Sequence, residues 1–100
     1  MALDIFTPRY GSTIALAVGG TAVSGPVVAD APMVRCFMSG NDITFIRFST
    51  AASGVINATN GDFPLLPNSV AFIAKPIGAD TISALAPGAG TDTLYVTSGQ

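Results

Sequence analysis

The sequence contains no histidine, no tryptophan and no glutamate, and a single cysteine among its 100 residues. Without histidine the commonest general base, the usual metal ligand and the standard catalytic triads are all missing. One cysteine and no histidine exclude an ordinary structural zinc site and any internal disulfide. Cys36 sits between Arg35 and Phe37 in an apolar stretch, which suits a buried, inert thiol better than a nucleophile. The six acids are all aspartates, and most stand beside Gly, Asn, Thr or Pro, where aspartate serves turns by bonding its own backbone. No D-x-D-x-D-G calcium loop and no phosphate-binding G-x-x-x-x-G-K-S/T run occurs. Paired-carboxylate hydrolysis needs two acids on facing strands, whereas these lie in separate turns. The expectation is a protein that is not an enzyme and uses no cofactor and no metal.

Charge is equally sparse, at 10% of residues with a net charge of −2, against about 25% charged residues in ordinary soluble domains. Arg9, Arg35, Arg47 and Lys75 are scattered, so no basic run can track a phosphate backbone, and no nucleic-acid partner is expected. The first twenty residues lack a basic segment ahead of an apolar one. The apolar stretch Ile14–Val18 falls far short of the roughly 20 residues that span a bilayer. No membrane association and synthesis in a reducing cytoplasm are expected. Hydrophobic residues nevertheless make up 49% of the chain, so it folds, and part of its apolar surface calls for a cover.

What is present is period-2 alternation broken by glycine and proline. Residues 12–18 alternate Ile14, Leu16 and Val18 with small residues, the pattern of a strand. Residues 19–32 leave room only for a short edge strand, at 21–23 or 27–29, because proline cannot donate to a central ladder. Strands are expected at 33–38 and 43–49, separated by Ser39-Gly40-Asn41-Asp42, a spacer that suits a hairpin. Both carry apolar residues on both faces apart from one arginine each, as central or covered strands do. After the long connection 50–62, Phe63-Pro64-Leu65-Leu66-Pro67 reads as an extended knot that packs without regular pairing. Three clear strands follow, at 69–74, 81–86 and 91–97. The whole implies one all-β domain over residues 1–100, a small antiparallel β-sandwich of jelly-roll or immunoglobulin-like type. It has six to seven short strands and an extended N-terminal arm over 1–11. Pairing around the spacer would set Arg35 opposite Arg47, two like charges that call for water or for carboxylates shared within an assembly.

The order of these segments resembles a group of small proteins encoded among the virion genes of tailed bacteriophages. Their recurring shape is a V-R-V strand, an F-V-R-F-G strand, a P-G-S-x-x-x-F turn and strand, an A-x-x-I-x-A strand and a terminal L-Y-V-T-x-G. The matching residues are Val34-Arg35, Phe45-Ile46-Arg47-Phe48, Pro67-Asn68-Ser69 with Phe72, Thr81-Ile82-Ser83-Ala84, and Leu94-Tyr95-Val96-Thr97 with Gly99. The resemblance covers about 33–99 and leaves residues 1–32 out. Cys36, Asn68 in place of the turn glycine, and Ser49 where a glycine often follows depart from it.

The resemblance implies a structural component of the virion, assembled in the host cytoplasm. It would be a capsid decoration or cement protein that binds the outer capsid surface and bridges capsid subunits. The implied partners are the major capsid protein or other virion subunits, and further copies of the chain in a homo-oligomer. Contacts are then expected at Leu3, Ile5, Phe6 and Tyr10 in the arm and at Phe63, Leu65 and Leu66 in the knot, with Arg35 and Arg47 as polar contacts. The alternatives are a head-completion, collar or tail component and, from a different class, a small glycan- or ligand-binding β-sandwich module.

Overall fold

Strands form wherever the alternation is clear. The computed structural model describes residues 6–88 and 92–100. Those residues form β1 (Ile14–Val18), β2 (Val23–Pro26), β3 (Met33–Ser39), β4 (Thr44–Ser49), β5 (Phe63–Leu65), β6 (Ser69–Ala74), β7 (Thr81–Leu85) and β8 (Asp92–Gly99). The only helical element among them is a single 3-10 turn, Ala51–Ser53. Eight strands replace the six or seven expected. The additional one is β5, in the knot read as unable to pair. It pairs because it is a sheet edge, where Pro64 needs no N–H on its solvent side. β2 falls between the two stretches considered for it and is likewise an edge strand, ending on Pro26.

The strands make two four-stranded antiparallel sheets packed face to face, in the orders β1-β8-β3-β6 and β2-β7-β4-β5. Pairing is nested about the middle of the chain: Ile14 faces Val96, Val23 faces Ala84, Met33 faces Ala74 and Thr44 faces Leu65. The pair numbers add to a nearly constant value, so the chain first folds back on itself as one long double strand. That double strand then rolls up, and the roll brings β3 against β8 and β4 against β7.

This order overturns the expected β3–β4 hairpin. The two strands are central, as their two-sided apolar character required, but they lie in different sheets. The spacer is an arch across the core rather than a hairpin turn. Gly40 holds φ +154°, and a β-carbon there would collide with the Asp92 carboxylate, while its N–H reaches the Asn68 side chain at 3.3 Å. Asn68 has φ 50°. Asparagine is among the few residues other than glycine that tolerate this left-handed region.

Between the sheets lies one core. β1, β3 and β8 contribute Leu16, Val18, Val34, Cys36, Met38, Leu94 and Val96, and the facing sheet contributes Ile46, Leu65, Ile82 and Ala84. Burial pushes the Cys36 thiol up to about 12, so it stays protonated and inert at neutral pH. Lys75 is also inside, 5% exposed. Its ammonium donates to the carbonyls of Ala29 (3.0 Å), Pro76 (3.2 Å) and Ala79 (2.6 Å), tying the β2–β3 connection to the β6–β7 turn.

The outer face of the β2-β7-β4-β5 sheet is covered by the connection 50–62. Ile56 N–H donates to the Ser49 hydroxyl (3.3 Å), Ala58 N–H to the Ser83 hydroxyl (3.0 Å) and Ala51 N–H to the Asp80 carboxylate (2.9 Å). This strap explains why Thr81–Ala84 are buried on both faces of β7. Arg47 belongs to the same arrangement, paired with Asp62 at 3.2 Å.

Two aspartates hold loops in their ionised form. The N–H of Ala51, then the Thr81 hydroxyl, lower the Asp80 carboxyl below its ordinary value of 3.8. The Arg9 guanidinium does the same for Asp30, by a 2.8 Å hydrogen bond and by its charge. Both groups release their protons more readily folded than unfolded. Their contribution is therefore complete above 3.8 and lost as pH falls through the lower folded values. The thermal midpoint should decline below about pH 4, and D30N/D80N should show a shallower decline. An unchanged slope in the double variant would remove these two carboxylates from the account.

Candidate docking face

Because the strap covers one sheet, the outer face of the other is the free one. Alternation along β3 sends Val34, Cys36 and Met38 inward and Arg35 and Phe37 outward. Arg35 stands between Thr97 on β8 and Phe72 on β6, and Phe37 between Tyr95 and Val70. Phe37 and Tyr95 stack with ring centroids 6.1 Å apart. Val70 and Phe72 remain 45% and 54% exposed, which for large apolar side chains two residues apart on one face of a strand marks a patch rather than isolated residues. Among the described residues no carboxylate pairs with Arg35, so it is the one cationic side chain of the four that has neither an ion pair nor a carbonyl cage.

The arm extends this face. Thr7 and Gln100 exchange backbone hydrogen bonds, and Arg9 N–H donates to the Ser98 carbonyl at 2.8 Å. Residues 7–9 thus continue beside β8 where β1 stops. Gly99 makes this possible: a β-carbon there would lie 2.6 Å from the Phe6 ring and would meet the Thr7 carbonyl. Phe6 crosses it to pack on Phe72 with centroids 5.3 Å apart. An open cleft of about 360 Å³ lies beside the arm, walled by Phe6, Pro8, Tyr10 and Thr13 with Arg9 and Arg35.

The expected contact residues separate into groups. Phe6, Tyr10 and Arg35 come together at this cleft. Leu3 and Ile5 lie outside the described residues. Leu65 is 2% exposed in the core and cannot reach a partner. Its neighbours Phe63 and Leu66 are exposed, one on β5 and one in the turn to β6, so the knot is divided by strand alternation rather than presented whole. Arg47 does not face Arg35; it lies on the opposite sheet, bound to its own strap. Val70, Phe72, Phe37 and Tyr95 were missed as a surface. The signal was available in β6, whose flanking residues alternate outward, but placing them beside Phe37 and Tyr95 required the strand order.

Among the described residues no cluster of His, Cys, Asp or Glu could hold a metal ion, and no helix is long and apolar enough to cross a membrane. No protein family matches the chain, and no curated protein or solved structure is significantly similar to it.

Proposed function

We propose that this protein is a non-enzymatic structural component of a tailed-phage virion. In this reading it is a decoration or cement protein that binds the outer capsid surface and bridges neighbouring capsid subunits. The observation that carries the reading is the asymmetry of the sandwich. One outer face is closed by the chain's own strap, while the other presents Phe37, Tyr95, Val70, Phe72 and Arg35, which has no carboxylate partner among the described residues. We read the nested strand pairing, rolled into two four-stranded sheets, as a jelly roll, an architecture that recurs in viral shell proteins. A face of this kind suits repeated docking on a lattice. About 800 Å² per partner is enough for specific binding, and linked copies on a shell add avidity.

Jelly rolls also occur in lectins, which keeps a glycan-binding module as the rival. Sugar sites favour flat aromatic platforms. Here tryptophan is absent, and one of the two tyrosines, Tyr95, already stacks on Phe37. Only Tyr10, at the cleft, is free to serve one.

Quantitative mass spectrometry on purified particles tests the proposal by counting this chain against the major capsid protein. Hundreds of copies are expected of a decoration protein, against about a dozen for a neck or tail ring. Absence from particles would leave the ligand-binding module in front. Phe6→Asp should undock the arm from Phe72 and Gly99 and reduce particle incorporation while far-UV circular dichroism stays unchanged. Full incorporation of a folded Phe6→Asp chain would show that the arm is no contact.

A further inference from the structure

The four sheet edges differ in how they are protected. β2 ends in Gly25-Pro26, β5 has three residues with Pro64 at its centre, and β1 is shorter than β6, at five residues, its line on β8 continued by the arm. β6 has no such device: Ser69-Val70-Ala71-Phe72-Ile73-Ala74 contains no proline, no glycine and no charge. Among the described residues it pairs only with β3. Natural edges are normally blunted by proline, charge, bulges or short length.

The direction of its free hydrogen-bonding groups follows from the ladder. Lys75 N–H donates to the Pro32 carbonyl at 2.8 Å, one step beyond the Met33–Ala74 pair. Bonded and non-bonded pairs alternate in an antiparallel ladder. Ile73, Ala71 and Ser69 therefore bond to β3, and the N–H and C=O groups of Val70, Phe72 and Ala74 point outward at the open edge. An edge with this spacing of donors and acceptors is complementary to another β-strand.

We propose that the occupant is β6 of a second copy, paired antiparallel about a two-fold axis at Phe72. In that register Phe72 faces the partner's Phe72, Val70 faces the partner's Ala74, and Ala71 faces the partner's Ile73. Every large aliphatic side chain then meets a small one, on both faces of the sheet. The absence of charge in β6 means that self-pairing brings no like charges together. Each of Val70, Phe72 and Ala74 exchanges a pair of backbone hydrogen bonds with the opposing strand. The two β1-β8-β3-β6 sheets merge into one continuous sheet. Its outer face carries both Phe6–Phe72 contacts at the centre and an Arg35 on each side. Such a contact is isologous and closes at two copies. It concerns self-association of the free protein and stands apart from the particle in which the chain is placed above.

The test combines molar mass with amide exchange on the full chain. Sedimentation equilibrium should give twice the chain mass at high protein concentration. The amides of Val70, Phe72 and Ala74 should be protected there and lose that protection on dilution, exchanging at least about tenfold faster. Val70→Pro removes an outward N–H that β3 does not use, and Phe72→Lys sets two ammonium groups face to face. Each should halve the molar mass under the same conditions. A monomeric wild type, a dimer whose three amides exchange freely, or protection independent of concentration (the chain's own residues covering the edge) would each overturn the proposal. So would a dimer retained by both folded variants. Should either variant fail to fold, the concentration dependence of the wild-type amides decides alone.

Discussion

Replacing Lys75 by methionine should lower the free energy of unfolding by about 2–5 kcal/mol, although the two side chains are similar in length. The ammonium is a structural clamp. Its three acceptors, the carbonyls of Ala29, Pro76 and Ala79, belong to two separate connections, each of which carries the chain from one sheet to the other. A buried acceptor that loses its donor costs about 1–3 kcal/mol, and methionine supplies none. A domain of this size has only about 5–15 kcal/mol in all, so the variant should unfold at a much lower urea midpoint. A change under about 0.5 kcal/mol, the range of ordinary surface substitutions, would mean that water replaces the ammonium at no cost. The alkaline limb gives a second reading. Burial lowers the Lys75 pKa from 10.5, partly offset by Asp30 and Asp80. The unfolded chain holds that proton to higher pH than the folded one. Lys75 therefore makes stability rise with pH between the lowered value and 10.5, and the methionine variant should lack that component.

Leu94→Ala should be as damaging, by about 2–5 kcal/mol, the cost of a cavity in a core that collapses only partly. Leu94 is fully buried on β8, opposite Leu16 of β1 and Met38 of β3, so the void would open in the strand that joins the two halves of its sheet. For a domain of this length the thermal midpoint should fall by at least about 10 °C. Tyr95→Ala, one residue on and facing outward, makes the control. It removes the stack on Phe37 but no core volume, and should cost about 1 kcal/mol. Equal losses at the two positions would mean that the outer face is part of the core, contrary to the proposed docking role.

Much of the secondary structure was legible because a half-buried strand writes its faces into alternate residues. Ser69–Ala74 coincides with its expected range, and Met33–Ser39, Thr44–Ser49 and Thr81–Leu85 differ from theirs by a residue or so. Pairing was not legible. Gly40-Asn41 between two apolar runs carries the local signature of a hairpin, and nothing near it says that β3 belongs with β6 and β8 instead. Partners that far apart in sequence are chosen by the whole roll, not by the turn. The same gap explains the misplaced site residues. Leu65 and Leu66 are adjacent and chemically alike, and only the register of β5 on β4 sends one inward and the other out. Lys75 was read only as one of four scattered basic residues, because its three acceptors come from backbone, which has no sequence signal at all. Nothing near Gly99 in the sequence says why a glycine stands there; the crossing of Phe6 supplies the reason.

The nested pairing also constrains how the protein is made. β8 is the last of the eight strands to be synthesised, yet it lies between β1 and β3. Until it leaves the ribosome, β1 has no partner in its sheet and β3 is open along one side. β4 with β5 and β3 with β6 can zip earlier, outward from the middle of the chain. Folding should therefore be a late, long-range closure, slow for its size as high-contact-order β proteins are. A nascent chain stalled just before residue 92 would display an unpaired β1 and one bare side of β3 to every other copy on the same messenger.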